Sequence, residues 1–163
     1  MDCKQFFEQI KGKKIAMCGI GVSNTPLILD FLKSGAKVYA CDKRTRNLLG
    51  DVADQIEKAG AELKLGDGYL DNLEVDIIFR TPGMNWNLPE LDAARKKGIA
   101  VTSEMEVFFD LCPATIFAVT GSDGKTTTTT LIAKMLEAEG KKVFVGGNIG
   151  KPLLKILLRR ITL

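Results

Sequence analysis

The chain has 163 residues, room for one domain of ordinary size or one small domain and part of another. Hydrophobic residues make up 45% and charged residues 26%, a globular balance with enough apolar side chains for a core. Basic residues number 23 against 20 acidic, but four of the basic ones fall in the stretch 151–163, so residues 1–150 are close to neutral and no basic nucleic-acid surface is indicated. Histidine is absent. That excludes Ser-His-Asp triads, Cys-His dyads and HExxH zinc sites. The four cysteines (Cys3, Cys18, Cys41, Cys112) form no CxxC pair, and Cys18 and Cys41 sit in apolar runs. Free thiols in a reducing cytosol are therefore expected. No apolar stretch approaches the ~18 residues of a membrane span. Lys11, Lys13 and Lys14 ahead of IAMCGIGV imitate a signal peptide, but Asp2 and Glu8 precede them and the apolar run is short. A first β-strand in a cytoplasmic protein is the expectation.

In chain order, strands and helices alternate. The run KIAMCG (14–19) predicts a buried strand, and TPLILDFLKSG a helix with Pro26 in its first turn and Gly35 at its end. KVYAC (37–41) predicts a second strand ending at Asp42. Residues 47–59 predict a helix closed by Gly60, followed by a third strand at 61–65. VDIIF (75–79) is a fourth strand, 89–98 a helix opened by Pro89, and 99–102 a fifth strand. Strands separated by helices predict a parallel sheet covered on both faces, with ligands at the strand carboxyl ends. Residues 103–112 then read as a helix with Ser103 as N-cap and Glu106 at capping-box spacing. After Pro113 comes a second β-α-β pattern: strand 115–119, loop TGSDGK, helix through Glu139, strand 142–146. A domain boundary is expected near residue 103. The remaining residues are too few to close a nucleotide-binding core of their own.

Four loops carry the chemistry. Thr120-Gly121-Ser122-Asp123-Gly124-Lys125-Thr126 lies between a strand and a helix. Its glycines let backbone N–H groups turn toward phosphate oxygens, with the positive end of the helix behind them. Lys125 reaches terminal phosphate charge, and the Thr126 hydroxyl is a candidate Mg²⁺ ligand. GxxxxGK[ST] fails by one position, since Val119 stands where its first glycine belongs, and an ordinary strand–helix turn is the plainer alternative. Asp123 would repel phosphate unless it faces solvent or the metal. Gly19-Ile20-Gly21-Val22-Ser23-Asn24 offers GxG after the first strand, but Asn24 replaces the third glycine of a dinucleotide loop, which disfavours NAD. Asp42 ends the second strand, where such folds bind ribose hydroxyls. Lys43, Arg44 and Arg46 beside it are either phosphate ligands or a solvated charge run. Thr81-Pro82-Gly83 and Gly147-Asn148-Ile149-Gly150 are turn sequences that gain weight by following parallel strands. Trp86, the single tryptophan, lies in a polar loop, where it either covers a ligand or simply anchors the loop.

In this order, GxGxS, the Asp, T-P-G, S-E-M-E-x-F, T-G-S-D-G-K-T-T and G-G-N-I-G-K-P resemble the Mur ligases over residues 5–155. The chain departs from the family at Ser122-Asp123, where Thr-Asn is frequent, and at Thr81, where Ser is common. The resemblance implies an α/β fold: a Rossmann-like parallel sheet domain at 1–102 that binds the UDP substrate, then an incomplete P-loop-type βαβ unit at 103–163. The implied reaction uses ATP and Mg²⁺ to phosphorylate the carboxylate of UDP-MurNAc-L-alanine, whose acyl phosphate the amine of D-glutamate attacks. By position, Val22, Ser23, Asp42 and Arg44 would contact uridine and Gly83 and Asn148 the diphosphate, with Gly21 and Thr81 also in the substrate-binding set. Gly121, Ser122, Asp123, Gly124, Lys125, Thr126 and Thr127 would hold ATP, with Lys125 in the catalytic role and Thr126 as metal ligand.

The family runs to some hundreds of residues and includes a histidine, a carbamylated lysine and an amino-acid-binding domain, so a fragment, inactive by itself, is expected. The tail LLKILLRRITL departs from the family and is apolar on more than one helical face. Uncovered, it predicts self-association through the second unit. Within the ligases a different amino-acid specificity stays open, and two readings from other classes stand beside this one. A stand-alone UDP-sugar-binding module needs only the first domain. An NAD-dependent reductase leaves the GKT loop unexplained.

Overall fold

The computed structural model describes residues 2–21, 24–147, 153, 154 and 157. The chain opens with a helix the sequence reading did not foresee, α1 (Cys3–Ile10), and its caps explain it. The Asp2 carboxylate accepts from the Gln5 amide at 2.8 Å, and the Gln5 side chain accepts from the Asp2 amide at 3.0 Å. Two otherwise orphaned donors are satisfied reciprocally. Cys3, Phe6 and Ile10 then fall on one buried face.

Five strands follow, all parallel: β1 (Lys14–Cys18), β2 (Lys37–Asp42), β3 (Glu62–Leu65), β4 (Ile77–Arg80) and β5 (Ala100–Ser103). Their order across the sheet is β3-β2-β1-β4-β5. The chain therefore reverses direction across the sheet between β1 and β4, and the loops leaving those two strands flank a crevice. The connecting helices are α2 (Asn24–Lys33), α3 (Arg46–Leu49), α4 (Asp51–Lys58) and α5 (Pro89–Lys96). The single helix expected over 47–59 is two, because Gly50 at φ 55° interrupts it.

Strand side chains alternate between two cores, as a period of two requires. Ile15, Met17, Val38, Ala40 and Phe79 face α1, α2, α4 and α6 (Glu104–Leu111). Ala16, Cys18, Cys41 and Ile78 face α5 through Leu91 and Ala94. Phe31 of α2 meets Phe79 edge-to-face, with ring centres 5.0 Å apart, in the first core. As expected, Ser103 caps α6 by accepting from the Glu106 amide at 3.3 Å. The Glu106 carboxylate turns instead to Arg80, at 3.5 Å. Val107, Phe108 and Leu111 pack α6 into the same core as α1.

Beyond Pro113 the structure departs from expectation. The helix forms as α7 (Lys125–Ala138), but the segments at 115–119 and 142–146 join no ladder among the described residues. Neither edge of the sheet, β3 or β5, takes them up. An apolar stretch becomes a strand only where a partner completes its hydrogen bonds. Ile116, Phe117, Leu131, Met135 and Phe144 stay exposed, and Ala133 alone is buried in α7.

The expectation of an uncovered tail is corrected where it can be checked. Leu154 is fully buried in the first core, with Leu153 and Leu157 packed against it. The Leu154 amide donates to Glu104 Oε1 at 2.9 Å, so a buried carboxylate and an apolar surface together hold the segment. Ile156, Leu158, Ile161 and Leu163 lie outside the described residues.

Candidate functional site

The loop after β1 is built around two residues that act in opposite ways. Gly19 has φ 96°, and a Cβ there would come within 2.5 Å of Thr81 Cγ2. The bare backbone lets the β1 and β4 loops touch, and the Thr81 amide donates to the Cys18 carbonyl at 3.1 Å. Asn24, where a dinucleotide loop would carry its third glycine, is buried. Its Nδ2 donates to the carbonyls of Gly19 at 2.9 Å and Cys18 at 3.4 Å, stapling the start of α2 to the end of β1. Sequence reasoning saw only the missing glycine. The signal available was an Asn at a helix start, a residue type that bonds local backbone readily.

Asp42 closes the second side. It is 5% exposed. Its Oδ2 accepts from the Ile20 amide at 2.7 Å and from Arg44 Nη2 at 2.8 Å. Its Oδ1 accepts from the Arg44 amide at 2.9 Å and from Arg44 Nε at 3.0 Å. Both oxygens are therefore engaged inside the protein, where the sequence reading expected them to face a ribose. Burial pushes this carboxyl upward, but the bonds from the Arg44 side chain, the Arg44 amide and the Ile20 amide outweigh it and hold the pKa below the usual carboxylate value. Arg44 also donates to the Ile20 carbonyl at 2.5 Å. The guanidinium is thus fixed in place while 43% of its side chain stays exposed. It borders an open cavity of about 550 Å³ whose other walls include Ile20, Gly21, Pro26, Leu29 and Val52. A half-apolar cleft beside a fixed, planar cation suits a flat heteroaromatic ring with an anionic extension. A smaller cavity of about 220 Å³ between α5 and residues 70–73 contains none of the predicted site residues.

After β4, the Met84 amide closes a turn on the Thr81 carbonyl at 3.0 Å, leaving Gly83 exposed and uncrowded. Structure therefore brings Gly21, Asp42, Arg44, Thr81 and Gly83 to the carboxyl ends of neighbouring strands. Val22, Ser23 and Asn148 lie outside the described residues.

The second loop is exposed throughout, Asp123 included. Gly121 at φ 150° and Gly124 at φ 72° shape it, and no side chain caps α7. Lys125 Nζ donates to the carbonyls of Gly121 at 2.5 Å and Ser122 at 2.9 Å. An uncapped helix start with a lysine folded over its loop fits an anionic phosphate group, which would compete for the same ammonium. Thr126 and Thr127 begin the helix, and the Thr130 hydroxyl donates to the Thr126 carbonyl at 2.8 Å. No cluster of three or more Cys, Asp or Glu able to hold a metal occurs among the described residues.

Strand order and loop placement make this a doubly wound α/β protein of the kind that takes ligands at the carboxyl ends of its strands. Within that class the chain is similar to the Mur ligases. Residues 119–158 match the Mur ligase middle domain. The chain is 56% identical over 150 residues to the UDP-N-acetylmuramoylalanine–D-glutamate ligase of Acetivibrio thermocellus, covering 91% of this chain and 32% of that one. The enzyme of the same name from Clostridium novyi is 51% identical over 150 residues, at 91% and 33%. The chain thus spans about one third of the length of the curated relatives it matches. Among solved structures, the UDP-N-acetylmuramate–alanine ligase of Thermotoga maritima superposes with TM-score 0.51 at 29% identity, over 83% of this chain and 32% of that one. A murein peptide ligase of Psychrobacter arcticus, at TM-score 0.51 and 22% identity over 91% and 32%, shares the fold. No helix among the described residues is long and apolar enough to cross a membrane.

Proposed function

We propose that residues 1–102 bind the UDP moiety of UDP-MurNAc-L-alanine, and that residues 103–163 contribute the phosphate loop of a cytoplasmic, ATP-dependent ligase that adds D-glutamate in peptidoglycan synthesis. The observation that carries this reading is Arg44, fixed by Asp42 at the mouth of the 550 Å³ cleft. The relatives named for D-glutamate ligation support the substrate class. Arg44 and Gly21 hold the uridine side, and Thr81 and Gly83 approach the diphosphate. Val22, Ser23 and Asn148 belong to the same set by sequence position. Asp42 positions Arg44 and Ile20 more than it touches ligand.

Gly121–Thr127 would hold the phosphates of ATP, with Lys125 on terminal charge and Thr126 toward Mg²⁺. ATP supplies the phosphoryl group that activates the substrate carboxylate. The exposed side chains of 114–147 favour self-association. A stand-alone UDP-sugar-binding module is the second reading, favoured by a five-stranded parallel sheet beside a segment that joins no ladder among the described residues.

Calorimetry with UDP tests the proposal. Wild type binds, and Arg44→Ala and Asp42→Ala each weaken binding by about 1–3 kcal/mol, the value of bonds to a charged group. Equal affinity in all three proteins overturns the site assignment.

A further inference from the structure

The loop between Gly83 and α5 contains an arrangement that nucleotide binding does not use. Trp86 is 42% exposed, yet two cations hold it. The Arg80 guanidinium lies 4.9 Å from its ring centre and that of Arg95 4.3 Å. Arg95 Nη2 also donates to the Trp86 carbonyl at 2.8 Å. Each arginine has its own carboxylate, Glu106 at 3.5 Å from Arg80 and Asp92 beside Arg95. The cluster is therefore neutral, and the two cations are not left to repel one another. Arg80 Nε and Arg95 Nη1 are buried without a hydrogen-bond partner. The indole face beside both guanidinium groups attracts their charge and offsets part of that cost.

Simple anchoring of a loop would bury the ring. Here the ring is immobilised and still presents apolar area to solvent. Its place matters equally. Arg80 ends β4 and registers with Cys18, the last residue of β1, so the ring is tied to the strand ends that flank the crevice. Trp86 lies three residues past Gly83, the residue assigned above to the diphosphate. The uracil has its own cleft at Ile20 and Arg44, across β1 from this loop. The part of the ligand that extends beyond the diphosphate is a pyranose, whose C–H face packs on aromatic rings while its hydroxyls stay wet.

We infer that Trp86 is a stacking platform for the N-acetyl sugar ring that follows the diphosphate, with Arg80 and Arg95 as the positioning residues that fix it. This rests on the UDP-sugar reading above, and the test separates the two. Because Trp86 is the only tryptophan, its emission reports on this site alone. UDP and UDP-MurNAc-L-alanine are titrated into the 163-residue chain and followed by fluorescence and calorimetry, with circular dichroism checking that each variant is folded. UDP-MurNAc-L-alanine is expected to shift Trp86 emission where UDP does not. Trp86→Ala is expected to weaken the sugar nucleotide by about 3- to 10-fold while leaving UDP affinity unchanged, and Trp86→Phe to recover most of that loss. Arg95→Met should broaden the emission and weaken only the sugar nucleotide. If UDP binds and Trp86→Ala changes both ligands equally or neither, the sugar platform is wrong and the nucleotide site stands. If UDP does not bind wild type at all, the nucleotide reading falls and this inference falls with it.

Discussion

In the sheet body, β1 lies between β2 and β4 and sends alternate side chains into two cores, so that Ile15, Ala16, Met17 and Cys18 are all wholly buried. In residues 114–147, stretches of similar apolar character run without ladder partners, and Phe117 and Phe144 remain exposed. Local propensity is comparable in the two regions. What separates them is the number of neighbouring strands available to complete the backbone bonds. A helix satisfies itself, so α7 forms in either circumstance. A parallel strand cannot, and in the second region the helix stands without the sheet it would cover.

The largest expected effect makes this difference measurable. Phe31→Ala empties a site packed between Phe79, Phe6 and Phe7, and should cost about 3–5 kcal/mol in urea unfolding. Leu131→Lys on α7, 51% exposed in wild type, should stay within about 0.5 kcal/mol. The same Leu131→Lys chain should show weaker concentration dependence in light scattering than wild type, since the exposed face of 114–147 is the proposed contact. At concentrations where the chain is monomeric, a large stability loss at Leu131 would mean that α7 is covered within the chain, and the contrast between the regions would collapse.

The second test asks where the tail belongs. Leu154 follows the second region in sequence but packs with the first in space. Leu154→Ala should cost about 2–5 kcal/mol. Glu104→Gln keeps an acceptor for the Leu154 amide and should cost far less than Glu104→Leu, which leaves that buried donor unpaired. If Leu154→Ala has the small effect of a surface change, the tail is not part of the sheet body.

Much of this architecture was legible in the sequence. All five strands of the sheet were expected within about two residues of their observed ends, because continuous apolar runs bounded by Gly and Pro are strong local signals. The paired loops could be placed for the same reason, since in a parallel sheet they must leave carboxyl ends. The helix α1 escaped because its eight residues carry only two turns of pattern, although Asp2 and Gln5 are a readable cap. The split at Gly50 escaped because a mid-helix glycine is tolerated as often as it breaks. The missing ladders at 115–119 and 142–146 could not be read, since pairing is decided by residues distant in the chain. The same holds within the site. Asp42 was found by position, but its four internal bonds depend on Arg44 folding back and on Ile20 arriving from the loop after β1. Nothing local to Trp86 predicted Arg80 and Arg95 at its ring.

The smallest stability effect, and the finest test of the comparison, separates two glycines of one loop. Gly19 and Gly21 are interchangeable in a motif and differ in structure. At Gly19 the backbone is left-handed, and a Cβ would press on Thr81 Cγ2 at 2.5 Å and Oγ1 at 3.1 Å. Alanine there should cost about 1–3 kcal/mol, as backbone strain and a packing clash act together. Thr81→Ser in the same chain removes Cγ2 and should return part of that loss, but not the share due to φ. Gly21 has no left-handed φ and nothing within 4 Å of its would-be Cβ. Gly21→Ala should therefore change stability by less than about 0.5 kcal/mol in the same urea titration. Folding gives no reason for a glycine at this position, so the reason must come from what approaches the backbone at the mouth of the cleft. Calorimetry should accordingly show Gly21→Ala weakening UDP while the fold is untouched. If UDP binds Gly21→Ala as it binds wild type, the ligand does not come close to this turn, and the loop's part in the site is limited to Ile20 and the residues it holds.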